Sequence, residues 1–214
     1  MKPLLLLFTL LLSSPSLAQF RLGVTGGLNI SKLTVGDDSY KGYVDDIQPG
    51  FFVGPTVVYT HPKIGLGLDA SALFDQRGAK SENIKDTKSI YCRSFQFPLH
   101  LRYGINYENM VYAFVFTGPQ WGVNVGSKER AFAEGTGAAT GHALERRWVH
   151  QASTFSWNFG LGAVVMENVQ VRVSYNLALR KTATIQQVDL LTGSSRVITD
   201  GKAHACQVAL SYLF

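Results

Sequence analysis

The chain has 214 residues, of which 46% are hydrophobic and only 16% charged, with a formal net charge of +5. Soluble domains carry about 25% charged residues, so the deficit argues against an ordinary water-facing scaffold, while the length suits a single domain. The basic residues are scattered, with no run of five Lys/Arg, which argues against a nucleic-acid partner.

The first element is a processing segment. Lys2, the apolar run Leu4 to Leu12 and the small-x-small site Ser16-Leu17-Ala18 predict a signal peptide over 1–18 and a mature domain over 19–214. The apolar run is shorter than the roughly 20 residues of a membrane helix. No cysteine follows the expected cleavage site, which argues against a lipoprotein anchor.

Eight strands follow by alternation of apolar and polar residues. They are expected at about 20–30, 50–60, 64–76, 91–103, 110–125, 153–165, 169–179 and 204–214. The seventh is the most regular: Val169, Val171, Val173, Tyr175, Leu177 and Leu179 alternate with Gln170, Arg172, Ser174, Asn176 and Ala178. Connections alternate long (31–49, 77–90, 126–152, 181–202) and short (His61-Pro62-Lys63, Asn106 to Glu108, Glu167-Asn168). Pro55, Pro98 and Pro119 fall inside strands and predict bulges or rim positions. In the fifth strand Tyr112, Phe114 and Phe116 claim one face and Trp121, Val123 and Val125 the other, which predicts an irregularity at Gly118-Pro119.

The rhythm of short turns and long loops predicts an all-β fold: an eight-stranded antiparallel up-and-down transmembrane β-barrel with both termini periplasmic. Alternation alone does not choose between lipid and water for the apolar face. The polar face decides, because it carries Gly, Ser, Thr, Asn and Gln with few Lys or Glu, as a narrow lumen needs and a soluble exterior does not. Aromatic residues near strand ends, Tyr59, Phe74, Tyr103, Trp157, Tyr175 and Tyr212, suit membrane interfaces. The chain stops on Val208, Leu210, Tyr212 and Phe214 in alternation; this resembles the C-terminal signal that the barrel-insertion machinery reads. The localisation expected is the outer membrane, with the lipid bilayer as first partner.

Phe95-Gln-Phe-Pro-Leu-His-Leu-Arg-Tyr103, Val115-Phe-Thr-Gly-Pro-Gln-Trp-Gly122 and the hairpin containing Phe159-Gly-Leu-Gly162 resemble strands of the PorT-like, porin-like outer-membrane β-barrel family of Bacteroidetes. The resemblance implies an eight-stranded barrel and leaves activity open. The family's namesake assists protein secretion in the gliding-associated pathway.

Inward positions are expected to hold Arg21, Asp69, Asp75, His100, Arg102, Arg172 and Arg180. Charges in a narrow lumen must be paired to offset desolvation, so they predict a salt-bridge plug, with Asp69 the expected partner of Arg172. Catalysis is not expected. His150 and Ser153 are three apart, which splits them across strand faces, and His204 and Cys206 lack an orienting carboxylate. No His spacing suggests a metal, and no cofactor is expected. Gly135 to Gly141 reads as a loop tip, not a phosphate cradle, and the sequon at Asn29 as chance. Cys92 and Cys206 are expected on opposite walls, so free thiols at the rim are expected unless loops fold over the mouth. The function expected is therefore a non-enzymatic surface or scaffold barrel with a protein partner at its external loops. The alternatives are a narrow pore for small solutes and an accessory part of a secretion or gliding machine.

Overall fold

The computed structural model describes residues 20–35, 48–61, 64–82, 87–107, 111–126, 129–136, 143–189 and 194–214. The expected signal peptide lies outside them. Twelve strand segments occur: β1 (Phe20–Val35), β2 (Gln48–Thr60), β3 (Leu66–Ser71), β4 (Leu73–Glu82), β5 (Thr87–Tyr107), β6 (Val111–Asn124), β7 (Glu129–Thr136), β8 (Ala143–His150), β9 (Ser153–Val165), β10 (Val169–Ala178), β11 (Ala183–Asp189) and β12 (Ser195–Leu213).

These twelve make eight walls. β3 and β4 are one wall interrupted at Ala72, and the order β1, β2, β3/β4, β5, β6, β9, β10, β12 closes where β12 pairs antiparallel with β1, from Gly23 opposite Leu213 to Val35 opposite Gly201. Closure removes every free edge of the wall, as a spanning sheet requires.

Three expectations about the strands are corrected. First, 77–90, 126–152 and 181–202 are not simply loops. β4 and β5 continue as a paired hairpin from Asp75 opposite Ser94 to Glu82 opposite Thr87. β12 continues beyond the barrel and pairs with β11, β11 with β8, and β8 with β7, a four-stranded extension of the wall. Runs such as Ala143-Leu-Glu-Arg-Arg-Trp-Val-His150 alternate poorly because strands above the membrane have no lipid face to keep apolar.

Second, β6 keeps one parity throughout: at Gly118-Pro119 its pairing with β5 lapses, but no register shift occurs. Its pairing with β9 runs unbroken from Val111 opposite Val165 to Val123 opposite Ser153. Tyr112, Phe114 and Phe116 therefore share the inner face with Gln120, and Val115, Trp121 and Val123 the outer. Third, the three prolines make no bulge. Pairing lapses beside each of them and resumes in the same register, for instance from Pro98 opposite Gln120 to Leu101 opposite Thr117. A missing N–H removes a bond without adding a residue.

β2, β5 and β9 end, and β3, β6 and β10 begin, at the end of the barrel where Phe20 and Phe214 lie. The β9–β10 connection places Met166 and Glu167 at φ 51° and 62°, left-handed conformations of a tight hairpin in which glycine or asparagine is favoured. Asn168 Nδ2 donates to Leu213 O at 2.7 Å, and Phe214 N–H donates to Leu22 O at 2.7 Å. The end of β12 is thus tied both to this turn and to β1.

Candidate functional site

The wall's outer surface is apolar. Leu22, Val24, Leu28, Val57, Leu68, Leu99, Leu101, Val115, Leu161, Val173, Val208 and Leu210 are all exposed, whereas Thr25, Thr56, Asp69, Gln170, Asn176 and Ser211 on the same strands are 0–1% exposed. Burying the polar face and baring the apolar one is the inverse of a soluble barrel.

Outward aromatics form two levels. Near the turn end Phe20 and Tyr59 have ring centroids 4.9 Å apart and Tyr212 and Phe214 5.5 Å apart, with Tyr103 on β5 at this end of its strand. Towards the other end Phe51, Phe74 and Phe95 form a ladder at 6.4 and 5.9 Å, and Tyr175 stacks on His204 at 6.2 Å and 4°. Trp157, which lies opposite Leu177, donates to Thr117 Oγ1 at 2.7 Å, so its indole N–H is satisfied on the lipid side. Eight residues separate Tyr103 from Phe95. At roughly 3.3 Å per residue and a tilt near 40°, that is about 20 Å of height, close to the ~25 Å apolar band of outer-membrane barrels. The sequence reading did not include Phe20, Phe51, Phe95 or Phe214 in these girdles. All four are aromatic residues on the outward parity.

Inside, the residues expected to form a single network separate into layers. The ionic layer lies nearer the turns. Asp69 on β3 approaches Arg102 on β5 at 3.2 Å and Arg172 on β10 at 3.5 Å. All three side chains are at most 5% exposed. Arg102 also donates to Gln170 Oε1 at 2.9 Å and to Thr60 Oγ1. One carboxylate faces two guanidiniums, and aromatic faces supply the remaining compensation. Arg102 lies 5.4 and 5.0 Å from the ring centroids of Tyr112 and Phe114, and Arg172 lies 5.8 Å from that of Phe116, within cation–π range. This explains why β6 carries rings on a lumen face. Room for them comes from β9, where a Cβ on Gly162 would lie 2.6 Å from Phe114 Cζ and one on Gly160 would overlap the Phe116 ring. The Phe159-Gly-Leu-Gly162 motif is the space these rings occupy.

Arg21 and Arg180 stand outside the Asp69 cluster. Arg21 keeps its expected inward parity, opposite the buried Val58, but donates to the Glu167 carbonyl at the turn end. Arg180 lies exposed beyond the end of β10.

The second layer is a wall-to-wall ladder of amides. Asn158 Nδ2 donates both to Gln120 Oε1 at 2.7 Å and to His100 Nε2 at 2.8 Å. Gln120 donates to Gln96 at 2.9 Å, Gln96 to Ser94 at 2.8 Å, and Asn176 to Asn158 at 2.6 Å and Ser156 at 2.8 Å. Arg77 links Asn176 at 3.4 Å to Asp75 at 2.9 Å, and Asn29 donates to Asp75 at 2.9 Å. Strands β1, β4, β5, β6, β9 and β10 are thus joined across the lumen. Phe52 of β2 and Ala209 of β12 pack with Leu73 of β4 on the inner face. Gln96, Gln120, Asn158 and Arg77 were not among the residues expected in the network. For the three amides the signal was their shared lumen parity in neighbouring strands; Arg77 fell in an expected loop.

An apolar girdled exterior around a polar lumen is the geometry of an integral barrel. The family model described as "Outer membrane protein beta-barrel domain" matches residues 13–184, well over half the chain. The chain belongs to that family. Its place is the outer membrane, with the lipid bilayer around its wall. No curated protein matches it in sequence. Among solved structures it is similar to the outer membrane protein OprG from Pseudomonas aeruginosa, with 11% identity, 91% of this chain and 94% of that one covered, and a TM-score of 0.48. It is also similar to a major outer membrane protein from Thermus thermophilus (10% identity, 89% and 99% covered, TM-score 0.44). A third is the outer membrane protease OmpT from Escherichia coli (11%, 91% and 96%, TM-score 0.40).

The remaining candidates of this outer-membrane barrel lie apart. His150 and Ser153 belong to β8 and β9 and pair with Ala183 and Val123. His204 accepts from Ala178 N–H at 3.3 Å through Nδ1, while Cys206 beside it on the outer face is exposed. Cys92 and Cys206 are both free thiols, the former 3.5 Å from Asn124 Oδ1. Asn29, of the sequon, is buried in the lumen. Gly135 and Thr136 end β7, and 137–142 lie outside the described residues. Among the described residues no group of three or more His, Cys, Asp or Glu could hold a metal ion.

Proposed function

We propose that this outer-membrane barrel is a non-enzymatic surface protein that presents its long connections to a protein partner. The observation that carries this reading is the wall-to-wall ladder from Ser94 through Gln120, Asn158 and Asn176 to Asn29, with Phe52 and Leu73 completing the closure. Ions do not cross such a layer without breaking several buried hydrogen bonds. Recognition then falls to segments above the membrane, chiefly the sheet formed by β7, β8, β11 and the start of β12, since lipid and lumen occupy the rest of the wall. The Phe95 to Tyr103 strand and the Gly118-Pro119 strand support placement among PorT-like barrels of Bacteroidetes.

A narrow channel is the second reading, and one observation favours it. Both oxygens of Asp69, with Arg102 Nε, Arg172 Nε and Gln170 Nε2, make no hydrogen bond to protein, so the ionic layer has capacity for water. Single-channel recording in planar bilayers separates the two. A closed scaffold gives a flat baseline across the voltage range. Stable unitary steps from the pure wild-type protein refute closure and favour the channel.

A further inference from the structure

Three lapses in the strand ladder line up. Between β2 and the β3/β4 wall, pairing stops at Thr56 opposite Ser71 and resumes at Val53 opposite Phe74. Between that wall and β5 it stops at Ala70 opposite Leu99 and resumes at Leu73 opposite Gln96. Between β5 and β6 it is missing for Leu99 and His100 opposite Gly118 and Pro119. Each lapse contains one proline: Pro55, Pro98 and Pro119.

The directions of the neighbouring bonds show that every one of these prolines faces a carbonyl. Ala72 N–H donates to Pro55 O at 3.0 Å, so the reciprocal bond to Ala72 O is the one Pro55 lacks. Gly104 N–H donates to Gly65 O at 3.0 Å, and the same parity aims Pro98 at Ser71 O. Val125 N–H donates to Arg93 O at 2.9 Å, and that parity aims Pro119 at Leu99 O. On the opposite side of the barrel, β10 pairs without a lapse with β9 over all ten of its residues. Three bonds are therefore absent along one diagonal across four neighbouring walls.

Beyond this diagonal, on the side away from the turns, stand β4 and the outer part of β5. Beside the resumed ladders to β2 and β6 and the Leu73 contact with Phe52 and Ala209, two side chains of β4 tie them across the lumen: Asp75, which accepts from Asn29 of β1 at 2.9 Å, and Arg77, which donates to Asn176 of β10 at 3.4 Å. We propose that the proline diagonal is a crease and the Asp75–Arg77 pair a latch, so that the outer part of the β4–β5 wall leans away from the lumen when the latch is released. A sheet bends most readily where inter-strand bonds are missing, because each ladder bond resists the separation of neighbouring backbones. The lean separates Arg77 from Asn176 and opens one side of the outer vestibule while the ionic layer around Asp69 stays shut. This device stands whether or not the lumen conducts.

Hydrogen exchange of the wild-type protein in nanodiscs tests the crease. Each missing bond is worth a factor of about five in local opening, so amides at 71–73, 97 and 99, each stretch bordering two of the lapses, are expected to exchange roughly 25-fold faster than those at 159–162 and 171–173. Equal protection of the two sides overturns the proposal. Distances between spin labels at Gln76→Cys and Leu179→Cys, in a Cys92→Ser, Cys206→Ser background, test the latch. Asp75→Asn and Arg77→Gln should each shift the distribution to longer distances. Adding Pro55→Val and Pro119→Val, which restore two donors on the lipid side, should return it. Latch variants that keep the wild-type distribution overturn the proposal as well. The exchange experiment needs no variant, so it decides even if a substituted barrel does not fold.

Discussion

Replacing Asp69 by alanine removes the carboxylate between two guanidiniums, each at most 5% exposed. At 3.2 and 3.5 Å, with an effective dielectric near 20, each contact has a gross attraction of roughly 5 kcal/mol. The net loss is smaller, because Arg102 keeps Gln170 and Thr60, and both guanidiniums keep their aromatic faces. Breaking a buried pair from one side typically costs about 3–5 kcal/mol, and the two unscreened cations then repel. Asp69→Ala should therefore lose about 3–5 kcal/mol in urea unfolding from lipid vesicles. Asp69→Ala combined with Arg172→Met should recover part of that loss, since the second change removes the surplus cation. A single-variant loss below about 1 kcal/mol, or a double variant no better than the single one, would refute the claim that Asp69 holds the ionic layer together.

Phe116→Ala removes a ring that faces Arg172 and leaves a gap beside Gly160; a loss of about 3–5 kcal/mol in the same unfolding assay is expected, and Phe116→Leu should lose less. Asn158→Ala severs the amide ladder at the residue that holds Gln120, His100 and Asn176. It should cost about 2–4 kcal/mol and, if the ladder is the closure, introduce current steps in planar bilayers that wild type lacks. Met166→Asn with Glu167→Gly relieves two left-handed residues in the β9–β10 turn and should stabilise by about 1 kcal/mol, read as a higher midpoint; the Arg21 bond survives because it is made to a backbone carbonyl. Thiol titration of unfolded, unreduced protein should find two free thiols per chain, from Cys92 and Cys206.

Alternation alone determined that Val169 to Leu179 is a strand with one oily face, and the sparse charge of the opposite face determined that the oily one meets lipid. The same reasoning reached the eight walls and the inward parity of Asp69, Arg102 and Arg172, because a period of two is local information. It failed at Tyr112, Phe114 and Phe116, because apolar rings on a lumen face read locally as a slip of parity. Only the tertiary structure decided that they stay in register: the guanidiniums of Arg102 and Arg172, brought from β5 and β10, need their faces, and Gly160 and Gly162 of β9 make the room. The prolines divide in the same way. That each removes a donor is written in its chemistry, but that Pro55, Pro98 and Pro119 fall on one diagonal depends on the registers of three strand pairs. Register is fixed by which wall closes on which, and no stretch of a single strand carries that.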